Sequence, residues 1–385
     1  MTQAVQTFTG GPIFDGTRLR DGLAAQFCDG ALVTLAPLAE LVAPGQVVDL
    51  GGDILSPGYV DLQVNGGGGV MLGDDPSVAV LAQICAAHRS LGATTLLPTL
   101  ITDTREKTRA TLAAGIAAAE AGVMGFGGLH LEGPHLSVAR KGAHDAALIR
   151  VMEDDDLAAL CEAAAKLPKL KVTLAPENVT PEQVTRLVEA GILVSLGHTD
   201  ASFETCVAYA RAGASCATHL FNAMSQMGNR APGLVGAVLD TGALSAGVIA
   251  DAIHVHPASL RAAWLAKRRG PGRIFLVSDA MAVAGTEATE FELEGRRITR
   301  REGQLCLEDG TLAGADLDLT TALRVLTRDC EVPLEEALEA ATTVPAALIG
   351  RQVDLTRAGY PLAEMIRIRA DLSSAAPVLS QPVLP

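Results

Sequence analysis

Residues 192–219 read ILVSLGHTDASFETCVAYARAGASCATH. Two short apolar runs, 192–197 and 214–218, flank a helical stretch over 202–212, and a histidine follows each run, His198 and His219. The same alternation extends in both directions. Short apolar strands are expected at 58–64, 93–98, 126–132, 170–175, 192–197, 214–218, 246–250 and 273–278. Helices are expected between them near 77–91, 104–121, 155–167, 181–190, 202–212 and 257–269. One helix start is well marked: Thr180 can cap, Pro181 suits the first turn and Gln183 completes a capping box. Strands alternating with helices imply parallel strands joined by crossover helices, an α/β fold. Eight such strands predict a (β/α)8 barrel, with a doubly wound open sheet as the alternative.

Outside this region the pattern changes. Up to about Ile54 it is short and strand-like, with turns at Gly10-Gly11, Asp15-Gly16, Asp29-Gly30 and Gly51-Gly52. After the eighth strand come an irregular stretch, 282–312, with a hairpin around Glu294-Gly295, and helices near 316–328 and 334–345. The tail from about Gly350 is again strand-like, so the two chain ends can pair into one small β domain. Internal repeats and low-complexity linkers are not found.

The chain has 385 residues, 49% of them hydrophobic and 19% charged, enough apolar surface for a large core and no signature of disorder. A net charge of −14 and only 3% aromatics argue against nucleic acid and anionic membranes as partners, while leaving room for a small anion held by local cations. The seven cysteines are scattered and form no CxxC pair, which reads as reduced thiols in a cytoplasmic protein without a cysteine metal site. Gly10, Gly11, Pro12 and Asp15 stand where a signal peptide needs an apolar run. The most apolar internal stretch, Ala113 to Leu129, is rich in Ala and Gly, contains Glu120 and makes a poor membrane span.

Polar residues cluster at the C-terminal ends of the expected strands, where a barrel enzyme builds its active site. The third strand reads GLHLEGPH, 128–135, and places His130 and Glu132 on one side. Glu132 meets Gly133-Pro134 at the strand end; it is either a hard metal ligand or an interior carboxylate paired with a cation. His130, one layer deeper, reads as a hydrogen-bonded core histidine. His198 in SLGHT and His219 in CATHLFNAM end successive strands. With Glu132 they make two imidazoles and a carboxylate, a catalytic zinc set that leaves one position open for water. Asp279 ends the eighth strand, RIFLVSDAM, and suits a general base and acid; the alternative is a cap on the following turn. The seventh strand, AGVIADAIHVHP, carries Asp251, His254 and His256; at least one histidine is in reach of substrate, and His256 reads as a surface or supporting residue. Asn222, Ala223 and Arg230 follow the sixth strand, and Arg230 is a candidate phosphate clamp because guanidinium binds phosphate in bidentate fashion. The glycine run in PGYVDLQVNGGGG, 57–69, lacks both GxGxxG and a P-loop lysine, so it reads as a tight turn that lets backbone approach a ligand.

Taken in order, PGYVDLQVNGGGG, LHLEGPH, KGAH, SLGHT, ATHLFNAM, GNRAPG, IADAIHV, LVSDA and GTLAG, from about Val48 to Thr343, resemble the N-acetylglucosamine-6-phosphate deacetylase family of the amidohydrolase superfamily. The resemblance implies a (β/α)8 barrel, residues 57–346, and a small β-sandwich formed by residues 1–56 with 347–385. It implies Glu132, His198 and His219 as metal ligands and Asp279 as the acid/base, with His144 in KGAH near the scissile amide. Substrate-contacting positions would be Ala143, Asn222, Ala223, Arg230, Asp251, Ala252, Ile253, His254, Leu312, Ala313 and Gly314. Arg230 and His254 would serve the phosphate, His254 across a homodimer interface. Many amidohydrolases carry His-X-His after the first strand to hold a second metal; here Gln63 and Asn65 stand there, and neutral amides are poor zinc ligands. The expectation is one divalent ion per subunit, zinc. His135, where some relatives carry an aromatic, would be a loop side chain beside the pocket, and the tail PLAEMIRIRADLSS matches only loosely.

The implied reaction is hydrolytic removal of acetate from N-acetylglucosamine 6-phosphate by a metal-activated water, giving glucosamine 6-phosphate. The alternatives are the N-acetylgalactosamine 6-phosphate epimer, another amidohydrolase reaction on a cyclic amide, and a non-catalytic sugar-phosphate binder.

Overall fold

Eight strands pair in chain order, each parallel to the next, in a computed structural model that describes residues 4–267, 270–293 and 295–379. They are β1 (Tyr59–Val64), β2 (Ala93–Ile101), β3 (Leu129–Glu132) and β4 (Leu170–Leu174). The second half is β5 (Leu193–Leu196), β6 (Cys216–Ala217), β7 (Ser245–Val248) and β8 (Ile274–Leu276). Every residue of β1, β3, β4 and β5 is buried, as strands covered on both faces must be. The ring closes between β8 and β1 through residues just beyond the strands. The Asp279 N–H donates to the Gln63 carbonyl at 3.0 Å and the Asn65 N–H to the Ala280 carbonyl at 2.8 Å. Below them the buried Asp61 carboxylate accepts the Ser278 N–H at 3.1 Å. The expected (β/α)8 barrel is therefore present, and the open-sheet alternative is set aside.

The helices that cover the barrel are α1 (Val78–Ser90), α2 (Arg105–Glu120), α3 (Asp154–Ala164), α4 (Pro181–Glu189) and α5 (Phe203–Arg211). They continue with α6 (Gly233–Asp240), α7 (Pro257–Ala266), α8 (Leu319–Arg328), α9 (Leu334–Ala341) and α10 (Thr343–Leu348). The capping box of α4 forms as read: the Thr180 hydroxyl accepts the Gln183 N–H, and the Gln183 side chain accepts the Thr180 N–H at 2.9 Å. Helix α6 has no counterpart in the sequence reading. Its sequence, GLVGAVLD, is apolar on every side and its first six residues are buried, so it lacks the polar face that marks an amphipathic helix. The helix expected over 334–345 divides at Thr342, because Pro345 has no N–H with which to continue the ladder.

Strands from the two chain ends share one sheet. Met365–Ile368 lies between Ala375–Pro377 and Ile54–Pro57, and Ile13–Phe14 and Leu19–Arg20 extend the sheet beyond. A second sheet is ordered Ala31–Ala36, Ala24–Cys28, Val5–Thr9 and Gln46–Asp49. Phe8, Ile13, Phe27, Leu32, Leu55 and Met365 pack together as a core separate from that of the barrel. Asp53 ties the ends electrostatically, accepting from Arg367 Nε at 2.6 Å and Arg369 Nη1 at 3.0 Å.

After β8 the chain makes a three-stranded antiparallel sheet of Glu290–Leu293, Arg296–Arg301 and Gln304–Cys306. The first two strands flank the expected turn, of which Glu294 lies outside the described residues. All seven cysteines are free thiols. Among the described residues no helix is long and apolar enough to cross a membrane.

Candidate active site

The strand ends turn sharply at three of the polar residues singled out above. His198, His219 and Asp279 have φ of +48°, +30° and +51°, a left-handed conformation that bends the chain away at the barrel rim. Glu132 instead ends β3 in regular strand geometry, without a positive φ.

Glu132 Oε1 lies 3.2 Å from His198 Nε2 and 3.1 Å from His219 Nε2, and the two ring nitrogens are 3.0 Å apart. All three side chains are buried, and their ligand atoms lie within 4.8 Å of one another. Two imidazole nitrogens and a carboxylate oxygen converging at this spacing suit a divalent ion of borderline softness. His198 Nδ1 donates to the Arg140 carbonyl at 2.8 Å, which orients the ring and turns Nε2 towards its neighbours. Burial alone would raise the Glu132 pKa, but the hydrogen bonds from His198 and His219 more than offset it and hold the carboxyl well below its usual range. These residues fit a metal ion. Among the described residues no other group of three or more His, Cys, Asp or Glu ligand atoms comes this close.

Gln63 Nε2 bridges two carboxylates, 3.1 Å from Glu132 Oε1 and 3.1 Å from Asp279 Oδ1. Asn65 Nδ2 donates to the same Asp279 oxygen at 2.8 Å. The two amides thus point N–H groups at anions, while Gln63 Oε1 and Asn65 Oδ1 stay buried without a partner. Burial, and next the neighbouring Glu132 charge, raise the Asp279 pKa; His219 and the Asn65 hydrogen bond oppose the rise. A carboxylate so poised is suited to take up a proton and return it.

His144 packs edge-on against His198 with ring centroids 4.5 Å apart. Its Nδ1 accepts the Thr102 N–H at 3.2 Å, so the proton resides on Nε2. Burial, and then the His198 charge, lower its pKa to about 3, which keeps the ring a neutral donor.

Glu132, His198, His219, Asn65, Asp279 and His144 line a cavity of about 210 Å³, to which Ala143, Asn222, Ala223, His254, Leu312 and Gly314 also contribute. Asp251 stands behind His254 and accepts from its Nδ1 at 2.5 Å. Ala313 is buried, outside the lining. Ala252, Ile253 and Arg230 are exposed and do not line the cavity. His130 bonds to Thr99 Oγ1 at 3.1 Å and Thr173 Oγ1 at 2.7 Å, a core histidine as read. His135 is buried against the Arg150 carbonyl at 3.0 Å, away from this cavity, and His256 is the exposed N-cap of α7. The sequence reading passed over Ile101, Ile249, Met281 and Leu293, all of which face the cavity. Ile101 and Met281 stand at or just beyond strand ends, a signal that was available; Leu293 comes from the hairpin and carries none.

Residues 54–362 match the amidohydrolase family profile. An N-acetylgalactosamine-6-phosphate deacetylase of a Shewanella species is 39% identical over 89% of this chain and 86% of its own length. The N-acetylglucosamine-6-phosphate deacetylase of Haemophilus influenzae is 35% identical over 82% of both chains. The crystal structure of the Pasteurella multocida N-acetylglucosamine-6-phosphate deacetylase superposes with a TM-score of 0.89 at 32% identity, covering 96% of this chain and 97% of that one. The chain belongs to the amidohydrolase family, in its N-acetylglucosamine-6-phosphate deacetylase group.

Proposed function

We propose that the protein hydrolyses N-acetylglucosamine 6-phosphate to acetate and glucosamine 6-phosphate, at one divalent ion per subunit held by Glu132, His198 and His219. The observation that carries this reading is the convergence of those three ligand atoms beside an Asp279 that is buried and steadied by Asn65. Amidohydrolases are metal-dependent, and this donor set favours zinc. Such an ion supplies Lewis acidity, polarising the acetyl carbonyl and making a water acidic enough to lose a proton near neutral pH.

The chain's own groups do the rest. Asp279 accepts the water proton and delivers it to the sugar nitrogen as the amide bond breaks. His144, neutral and protonated on Nε2, donates to the carbonyl oxygen as it gains charge. Gln63 and Asn65 hold Asp279 in place and occupy the positions where imidazoles would be needed for a second ion. Asn222, Ala223 and the Leu312 and Gly314 backbone frame the sugar, with Ala313 buried behind them. His254, which lines its own chain's cavity and is oriented by Asp251, meets the phosphate there with Arg230, and a homodimer brings the exposed Ala252 and Ile253 to the partner's site. The domain division is 1–56 with 347–385 against 57–346, and the seven free thiols suit a cytoplasmic enzyme.

The 39% identity to the Shewanella enzyme favours a second reading, the galactosamine epimer. Acetate release from both 6-phosphates and from unphosphorylated N-acetylglucosamine, with metal content measured on the same sample, tests both. Release from the glucosamine 6-phosphate, with far slower turnover of the unphosphorylated sugar, is expected. Release from the galactosamine epimer alone transfers the assignment to it, and release from none refutes both.

A further inference from the structure

An N-acetyl amino-sugar phosphate has one wholly apolar end, the acyl methyl. The cavity offers it apolar neighbours beside the polar ones. Asn222 and His254 contribute polar groups after β6 and β7, and Asn65 and Asp279 after β1 and β8, while Ile249 after β7 is apolar. Ile101 at the end of β2, Met281 beyond β8 and Leu293 from the hairpin bring apolar side chains from the β8–β2 side. These three belong to one apolar cluster with Met71, Ile298 and Leu305, separate from the main barrel core. The wall is backed firmly. Met281 and Leu293 are each only 3% exposed. A Cβ placed on Gly314 would come within 2.5 Å of the Met281 side chain and 3.0 Å of the Asp279 carbonyl, so Gly314 packs closely against Met281. The hairpin that carries Leu293 is clipped over the site, because the Arg296 guanidinium donates to the Ala143 carbonyl, next to His144, at 2.9 Å.

A reacting acyl carbon has three substituents. Its oxygen belongs beside His144 and the Glu132, His198 and His219 cluster, and its nitrogen beside Asp279 with the sugar leading towards His254. The third substituent then meets Ile101, Met281 and Leu293. We infer that these residues form an acyl pocket that restricts hydrolysis to short acyl groups. Leu293, presented by a surface hairpin and not by the barrel, is its adjustable member. The inference rests on the deacylase reading above. The reaction is unchanged by the acyl chain: the C–N bond breaks, the water oxygen goes to the carboxylic acid, and the nitrogen takes the proton.

The test is kcat/KM of the metal-loaded enzyme on N-formyl, N-acetyl, N-propanoyl and N-butanoyl glucosamine 6-phosphate. Each methylene beyond acetyl is expected to cost the wild type about tenfold or more, the scale on which a packed pocket discriminates. Leu293→Ala should raise the butanoyl-to-acetyl ratio at least about tenfold, and Leu293→Phe should shift preference towards formyl. Two variants moving the profile in opposite directions at unchanged metal content separate pocket size from loss of fold. Normal acetate release with the same acyl profile in wild type and both variants would overturn the inference alone. A wild type that cleaves none of the four acyl groups, on either glucosamine or galactosamine 6-phosphate, takes the deacylase reading down with it.

Discussion

Gln63 is the side chain on which Glu132 and Asp279 both depend, although it does not line the cavity. Its amide nitrogen is 3.1 Å from each, so the two carboxylate oxygens are at most twice that distance apart in a buried setting. Replacing Gln63 by Leu keeps most of the volume and removes both donations. A hydrogen bond to a charged group contributes about 1.5–3 kcal/mol. With metal bound, Glu132 has another partner, so the loss that reaches the rate is the one at Asp279. It corresponds to a fall in kcat of about 10- to 150-fold. KM should hardly move, because no substrate contact is lost. Burial and then Glu132 already push the Asp279 pKa upward, and losing a donor pushes it further. Since Asp279 acts as a base only when deprotonated, the acid limb of the kcat profile moves to higher pH. The assay is acetate release across pH on zinc-loaded wild type and Gln63→Leu. A variant within about threefold of wild-type kcat, with its acid limb unmoved, would show that Gln63 positions nothing, since one lost donor should cost at least tenfold.

Two further outcomes are expected. Asp251→Asn removes the charge behind His254 and should raise KM for the phosphorylated sugar about tenfold with kcat little changed, the scale of one charge-assisted hydrogen bond; a loss confined to kcat would contradict the phosphate role. Asp53→Asn should cost about 1–2 kcal/mol in chemical denaturation at pH 7, a reduced figure because both guanidinium partners are more than a third exposed. Burial would raise the Asp53 pKa, but the Ala370 N–H and the two arginines more than offset it. The folded value therefore lies below the unfolded one, and this stability is present above about pH 4 and lost as pH falls through the folded pKa. The gap between wild type and variant should close in acid, and a gap constant from pH 7 to pH 2 would refute the linkage.

The parts of the molecule legible in the sequence are those where local pattern and tertiary environment agree. Alternating runs marked the barrel because the strands are buried on both faces and most of the helices between them show a polar side. Glu132, His198, His219 and Asp279 stood out because a polar group directly after an apolar strand has few places to go except the barrel mouth. Helix α6 was invisible for the opposite reason: it is covered by neighbours all round, so burial erased its period. The hairpin's part in the site was hidden too. Leu293 reaches the cavity from a hairpin outside the strand ends, and Arg296 reaches Ala143 across 153 residues of sequence, which no local pattern encodes. The ring orientation of His198 and the tautomer of His144 likewise depend on backbone groups, at Arg140 and Thr102, that composition cannot reveal.

The left-handed turns at His198, His219 and Asp279 bear on how this centre can be remodelled by directed evolution. An L-residue in that conformation is disfavoured by roughly 1–2 kcal/mol, least for Asn, Asp and Gly and most for β-branched side chains. Backbone geometry therefore filters replacements at these three positions before any chemistry is tested. Exchanging an imidazole for an aspartate at His198 or His219 preserves the turn and yields a harder ligand set, suited to manganese or magnesium. Threonine or valine there would disturb the rim as well as the ligand. Glu132, in ordinary strand geometry, escapes this filter, so the most readily varied ligand is the carboxylate and the two imidazoles set the limits of redesign.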